Sequence, residues 1–385
     1  MASRFDQPSR WRHVRTLLRG FDWPLLLAIM LLAAIGLVAM YSAGYDHGTR
    51  FKDHGRNMLL ALAVLFFVAQ IPPQRLQQLA VPLYLVGVAL LVATAVFGIT
   101  RKGATRWLAL GPLVIQPSEI LKIAMPLMLA WWFQKREGRR TASDFVIATL
   151  LLLVPVAVVI KQPDLGTALL ILASGVYVLF FAGLPWKLVI PVLVLGLVGI
   201  AAVVLSADII CEPGVRWPLL REYQQHRVCT LLDPTRDPLG KGFHILQGMI
   251  AIGSGGLAGK GFMQGTQTHL EFIPERTTDF IFAAFSEEFG LAGVVLLLLA
   301  FIFLIYRGLM IAAAAPTVFT RLLAGAVTMG FFSYAFVNMG MVSGILPVVG
   351  VPLPFVSYGG TAMVSLGLGL GILMSVARSR RLMQS

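Results

Sequence analysis

The chain has 385 residues, 57 % of them hydrophobic and only 13 % charged, with a formal net charge of +13. Soluble domains are roughly a quarter charged, and a water-soluble globule of this composition would expose large apolar patches and aggregate; a cytosolic enzyme, a disordered chain and a disulfide-stapled secreted domain are excluded. The basic residues sit in short clusters between long apolar runs, which is how membrane proteins set their topology and not how a chain binds nucleic acid.

Residues 1–19 carry Arg4, Arg10, Arg12, Arg15 and Arg19 ahead of the first apolar run. That run is too long for a signal-peptide core and lacks a small-residue cleavage site, so it reads as an uncleaved anchor. Residues 9–20 suit a basic helix lying on the membrane surface. A bilayer core of about 30 Å takes about 20 apolar residues per helix. Ten runs answer to this: 24–43, 57–71 (a short one), 80–98, 116–134, 144–160, 166–183, 187–206, 279–306, 321–342 and 358–377. A helix bundle satisfies its backbone hydrogen bonds internally, as lipid demands, and the alternating segments of a transmembrane barrel are absent. The expected fold is an all-α polytopic membrane protein of about ten transmembrane helices. Residues 1–23 form a basic segment, 24–206 helices one to seven, 207–278 a large loop, 279–377 helices eight to ten, and 378–385 a tail.

With the N-terminus in the cytoplasm, the inner segments hold 16 Lys and Arg residues and the short outer loops hold seven. The loop 207–278 exceeds the length to which the charge rule applies. This bias puts both termini inside and the large loop outside. Cys211 and Cys229 both fall in that loop, where the compartment permits a disulfide; two free thiols are the alternative, and spacing does not decide between them.

Ionisable groups at membrane depth are candidate functional residues. Glu119 and Lys122, three apart at the start of the fourth run, share a helix face; they form either a structural ion pair or the lining of a polar cavity. Asp164, after Pro163, suits a helix N-terminus. Asp279 opens the long eighth run, poised between loop and bilayer, either as a cap or as a reactive carboxylate. Glu287 and Glu288 lie two turns deeper, where at least one needs a cation or backbone N–H groups. Arg276 has two candidate partners, Glu275 and an anionic ligand.

In the large loop, Asp233-Pro234 and Asp237-Pro238-Leu239-Gly240 are turn signatures. Phe243 to Ile252 is apolar with helical spacing and suits a membrane surface, until Gly253-Ser254-Gly255-Gly256 breaks it. Pro347, Pro352 and Pro354 interrupt the chain before Ser357-Tyr358-Gly359-Gly360-Thr361. Irregular backbone at this depth either packs in protein or lines a wet cavity. There is no phosphate loop, no dinucleotide fingerprint, no metal-ligand His/Cys spacing and no internal repeat of the kind that builds transporters from inverted halves. No metal ligand is assigned.

In these motifs the sequence resembles the shape, elongation, division and sporulation (SEDS) family of bacterial membrane proteins over nearly its whole length. The resemblance rests on Gly103-Ala104-Thr105-Arg106-Trp107, Gln116-Pro117-Ser118-Glu119 and Gln162-Pro163-Asp164-Leu165-Gly166-Thr167. It continues through Asp233-Pro234 to Gly240, Gly265-Thr266-Gln267-Thr268-His269, Pro274-Glu275-Arg276-Thr277-Thr278-Asp279-Phe280 and the Ser357 to Gly360 block. Gln267 to Phe272 is closer to the elongation branch than to the division branch. Gln225-His226 before Arg227 departs from the family, where another basic residue is expected.

The resemblance implies a peptidoglycan glycosyltransferase of the bacterial inner membrane, its large loop periplasmic. It would polymerise lipid II into β-1,4-linked glycan during cell elongation, beside a class B penicillin-binding protein. Inversion at the anomeric carbon needs one displacement and one general base, with positive charge near the departing undecaprenyl pyrophosphate. By position and motif Asp279 is the expected base. Arg106, Arg227, Arg276, Lys122 or a divalent cation (Mg or Mn) would supply the charge. Glu119, Asp164 and Ser357 are assigned to substrate binding or the cavity. A lipid II flippase and a non-catalytic scaffold for the penicillin-binding protein are the alternatives; the clustering of Asp279, Arg106, Arg227 and Asp164 at the outer face favours chemistry.

Overall fold

The computed structural model describes residues 20–383 except 47, 102–103, 111–112, 139, 213, 216, 218–221, 238–239 and 274. The basic segment 1–19, with its expected surface helix, lies outside the described residues. Helix α1 (Trp23–Ala43) opens at Asp22, whose carboxylate accepts the Leu25 N–H at 3.1 Å, with Pro24 in the first turn where a missing N–H costs nothing. Helix α2 (Arg50–Ala69) starts two turns earlier than the run at 57 implies. Its stretch from Arg50 to Asn57 is helical but largely polar, so an apolar scan passes over it.

Helix α3 (Pro73–Phe97) leads into three antiparallel strands, β1 (Ile99–Arg101), β2 (Ala104–Leu110) and β3 (Leu113–Ile115), with β2 in the centre. This small sheet fills the connection between the third and fourth apolar runs; the bundle itself is all-α. Helices α4 (Pro117–Gln134), α5 (Ala142–Lys161), α6 (Leu165–Phe181) and α7 (Trp186–Leu205) follow. Helix α5 begins on a reciprocal capping box, with the Thr141 N–H donating to Asp144 at 2.9 Å.

The segment 207–278 is built, not slack. It holds α8 (Ala207–Ile210), α9 (Glu222–Leu232), a 3-10 turn at Pro234–Arg236, α10 (Lys241–Ser254) and α11 (Thr266–His269). Cys211 and Cys229 form a disulfide, Cα–Cα 5.6 Å, that ties the end of α8 to α9. Asp233 accepts the Thr235 N–H at 3.1 Å, closing the first turn signature; Pro238 and Leu239 of the second lie outside the described residues. Helix α10 buries Gly242, Ile245, Gly248 and Ala251 and packs on helix α12 (Ile281–Ala313). The apolar spacing expected to meet a membrane surface therefore meets the bundle on one face, because these four small and aliphatic residues, three apart, fit against a helix.

Helix α12 is two helices joined at Gly290 (φ 60°, ψ −162°), a conformation closed to residues with a Cβ. The strand of loop after α10 fills the break. Lys260 and Gly261 N–H groups donate to the Glu287 and Glu288 carbonyls at 3.0 Å each, and Leu291 and Ala292 N–H groups donate to Gly256 and Leu257 at 2.9 and 3.1 Å. The Glu287 and Glu288 carbonyls and the Leu291 and Ala292 N–H groups are thereby paired outside the helix, as membrane depth requires.

Helices α13 (Val318–Val342) and α14 (Gly360–Met383) complete the chain. The main packing pairs are α14 with α2, α12 with α1 and α13, α3 with α4, and α6 with α4, α5 and α13. Seven of the long helices, α1, α3, α5, α7, α12, α13 and α14, are long and apolar enough to cross a membrane, so the protein is multi-pass. Among the other three, α6 has only 17 residues, α2 carries its polar first turns, and α4 carries Glu119 and Lys122. Helix α7 buries none of its residues. Between α13 and α14 the chain runs irregularly into the bundle, burying Leu353, Phe355 and Val356. Gly36 of α1 makes room for it: a Cβ there would stand 2.0 Å from the Phe355 carbonyl oxygen.

Candidate functional site

The turn before α12 is stitched to four elements. Arg276 is 2 % exposed; its Nε donates to the Ala43 carbonyl at 3.0 Å and its Nη2 pairs with Asp46. The partner is thus Asp46, not Glu275, a choice made by the α1–α2 connection that no local pattern shows. The Thr277 hydroxyl accepts from Arg50 at 2.5 Å, and the Thr277 carbonyl accepts the Tyr358 N–H at 2.8 Å. Ser357 accepts the Leu353 N–H at 2.8 Å and donates to the Thr278 carbonyl at 2.7 Å. Asn338 of α13 donates to the Asp279 carbonyl at 3.1 Å and to Val351 at 2.7 Å. Asp279 is half-buried, and a Cβ on Gly350 would stand 3.5 Å from its Oδ2. Pro274 of this motif lies outside the described residues.

A second cluster sits on α4. Lys122 Nζ pairs with Glu119 at 2.6 Å and donates to the Tyr334 hydroxyl at 2.7 Å; Ser365 donates to Glu119 at 2.8 Å. Ion pair and cavity lining both occur here. Lys122 and Tyr334 line a small cavity of about 40 Å³. Glu119 lines a groove of about 590 Å³ between α2, α3, β3, α4 and α14. The groove wall is apolar over most of its length, with Asn57, Gln116, Glu119, Thr361 and Ser365 as its polar members.

Asp164 caps α6, accepting the Thr167 N–H at 3.3 Å, and also accepts from Gln116 at 3.2 Å. Arg106 on β2 stands 3.7 Å from Asp164 and donates to the Pro163 carbonyl at 2.7 Å. Two residues on, Gly166 lets the loop before α14 come close: a Cβ there would lie 2.6 Å from the Val349 carbonyl. Val349 adjoins the Gly350 that faces Asp279, so the Asp164 cap and the Asp279 turn rest on one loop.

Arg227 lies half-buried on α9. Beside it, His226 stands 3.3 Å from Asp237, and Gln225 donates to the Val215 carbonyl at 2.6 Å. The two residues that depart from the family pattern therefore hold the loop's own fold. Glu287 meets Lys260 at 2.6 Å and accepts the Gln267 N–H at 3.0 Å; Glu288 accepts from Ser42, with His269 at 3.6 Å. These deep carboxylates found the cation and backbone donors they need. Among the described residues, no three His, Cys, Asp or Glu side chains gather in an arrangement that could hold a metal ion.

Arg50, Asn57, Asn338, Tyr334 and Ser365 escaped the sequence reading. Asn338 carried a signal, a lone amide inside an apolar helix. Tyr334 and Ser365 carried none, since hydroxyl side chains are common in such helices.

The family model for cell cycle proteins, named for FtsW, RodA and SpoVE, matches residues 22–382. The chain is 47 % identical to the peptidoglycan glycosyltransferase MrdB of Escherichia coli K12 over 359 residues, covering 93 % of this chain and 94 % of that one. A solved structure described as "Structural coordination of polymerization and crosslinking by a peptidoglycan synthase complex" superposes with a TM-score of 0.76 at 33 % identity, covering 94 % of this chain and 98 % of that one. The rod shape determining protein RodA of Thermus thermophilus superposes with a TM-score of 0.68 at 30 % identity, with coverage of 94 % and 97 %. By sequence, by length and by architecture, the chain belongs to the FtsW, RodA and SpoVE family of cell cycle proteins.

Proposed function

We propose that the chain is a peptidoglycan glycosyltransferase of the bacterial inner membrane that polymerises lipid II. The loop-bearing end of the bundle faces the periplasm. A class B penicillin-binding protein of the elongation machinery crosslinks the strand it makes. The observation that carries this reading is a carboxylate, Asp279, held in a turn whose bonding partner Tyr358 lies two residues from the groove-lining Gly360. Support comes from the 47 % identity to a protein named for this activity.

In this reading the groove takes the polyprenyl chain and the loop-bearing end takes the sugars. Asp279 removes the proton from the acceptor's 4-hydroxyl as that oxygen bonds to the donor's anomeric carbon. The bond from that carbon to the diphosphate oxygen breaks, the configuration inverts from α to β, and undecaprenyl diphosphate leaves with the electron pair. General-base help of this kind is worth about 10²–10⁴-fold. Glu119 and Lys122 shape the groove, neutralising each other so that neither charge faces lipid alone. Gln116 lines the groove and is bonded to Asp164, which Arg106 faces. Magnesium or manganese fits this reading as an ion carried by the diphosphate.

The test is polymerisation of purified lipid II by the detergent-solubilised protein with its penicillin-binding partner. Wild type is expected to make long glycan and Asp279→Ala none, both remaining monodisperse and partner-bound. Equal products from both would overturn the assignment of the base. No product from wild type, with a known polymerase active in the same mixture, would overturn the transferase reading.

A further inference from the structure

Four cations at the loop-bearing end are neutralised by carboxylates of the protein itself. Arg276 pairs with Asp46, Arg106 with Asp164, Lys260 with Glu287 and Arg56 with Asp53. Arg50, beside the Asp279 turn, makes no ion pair among the described residues. Its Nη1 donates to Thr277, and its guanidinium lies 5.1 Å from the centre of the Tyr358 ring. A guanidinium has five N–H donors, so four remain, together with the full charge.

A purely structural role does not account for this arrangement. Arg276, which does brace the same turn, is 2 % exposed and carries a carboxylate. Arg50 is half-exposed and stops at a hydroxyl and an aromatic face. Those contacts fix its direction without consuming its charge, which is how an arginine is prepared for a planar, multi-oxygen anion.

Its place in the fold names the anion. Arg50 and Asn57 are seven residues apart on α2, about 10 Å along one helix face. Asn57 lines the groove with Gly360, where an added Cβ would stand 3.4 Å from the Asn57 Nδ2. Thr277, which Arg50 holds, is two residues before Asp279. The cation thus stands between the Asn57 wall of an apolar groove and the carboxylate that the transferase reading makes the base. An apolar tail with an anionic head at that spot is a polyprenyl diphosphate.

We propose that Arg50, steered by Tyr358 and Thr277, is the diphosphate-binding residue at the mouth of the α2–α4–α14 groove. It takes charge that grows on the diphosphate as the glycosyl bond breaks. The proposal rests on the transferase reading for the identity of the lipid, but it is tested by binding and not by turnover.

Native mass spectrometry of the full-length, delipidated protein measures affinity for undecaprenyl diphosphate, undecaprenol, inorganic diphosphate and phosphatidylglycerol. Wild type is expected to prefer undecaprenyl diphosphate to undecaprenol by about tenfold or more, the scale of a charge-assisted contact. Arg50→Gln removes most of that preference and weakens inorganic diphosphate to match; Arg50→Lys keeps part of both. Arg56→Gln, at an exposed arginine paired with Asp53, leaves the preference intact. Unchanged preference in Arg50→Gln overturns the site, as does an equal loss in Arg56→Gln. Phosphatidylglycerol competing as well as undecaprenyl diphosphate overturns it too, since the surface would then read any anionic lipid. These outcomes stand apart from the transferase question, because a wild type that binds with the expected preference and makes no glycan refutes the transferase reading alone.

Discussion

Arg276 and Asp46 form an ion pair that fastens the turn bearing Asp279 to the connection between α1 and α2. Arg276 is buried and Asp46 is about a quarter exposed, with side-chain exposures of 2 % and 26 %. Losing one member of a buried pair costs about 3–5 kcal/mol, because the other charge is stranded; exposure of Asp46 places this case toward the lower end. Asp46→Asn should lower the unfolding temperature in detergent and lower polymerisation with it. The double variant Asp46→Leu/Arg276→Met should recover part of the stability and little of the activity, since the turn loses its tether to Ala43. Thermal unfolding of the three proteins, followed by intrinsic fluorescence, checks this; equal stability in all three would refute it.

Asp279→Asn keeps the shape and backbone contacts of the turn, including the bond from Asn338 to the residue 279 carbonyl. Its unfolding temperature should therefore stay within a few degrees of wild type, while polymerisation falls by about 10²–10⁴-fold. Asp279→Glu moves the carboxylate outward by one methylene beside Gly350 and should retain a small residual rate. A turnover number for Asp279→Asn close to that of wild type would remove the base from the mechanism.

The Glu119–Lys122 pair is closed by Tyr334 and Ser365. Lys122→Met leaves Glu119 charged at the groove wall, whereas Lys122→Met with Glu119→Gln leaves no charge there. The single variant should be less stable than the double by about 2–4 kcal/mol. Both should polymerise poorly if the pair shapes the groove. A single variant as stable as the double would mean that solvent reaches Glu119 freely.

Much of this site was legible because lipid makes charge conspicuous. Glu119, Lys122, Asp164 and Asp279 stood out as ionisable groups beside apolar runs; Glu119 lines the groove, Lys122 and Asp164 lie in bonded clusters and Asp279 in the turn before α12. Arg50 and Asn57 did not stand out, since a polar stretch before an apolar run looks the same as a loop, yet here it is helix. The sheet was hidden because strands of three, seven and three residues carry too few alternations to register. The partner of Arg276 was hidden for another reason: it comes from a segment 230 residues away in sequence, and only the packing of α12 on α1 brings it there. Glu287 and Glu288 announced that they needed partners without saying which, because Lys260 reaches Glu287 from the loop that fills the break at Gly290 and Ser42 reaches Glu288 from α1.

That break yields the last prediction. At Gly290 a Cβ would lie 2.3 Å from the Gly259 nitrogen and 2.9 Å from the Gly255 carbonyl oxygen, and the backbone sits at φ 60°. Gly290→Ala therefore combines strain of about 1–3 kcal/mol with a clash against the backbone that repairs the helix. The loop 255–261 must move away, and the four hydrogen bonds across the break go with it. Lys260 then withdraws from Glu287, leaving that buried carboxylate to the Thr266–Thr268 donors alone. Hydrogen exchange should quicken in 255–269 and at Leu291 and Ala292, while the amides of α13 and α14 keep their protection. Because the first part of α12 carries the Asp279 turn at its start, polymerisation should fall together with that local protection. Exchange unchanged in 255–269, with a normal unfolding temperature, would mean that α12 does not depend on the loop for its continuity.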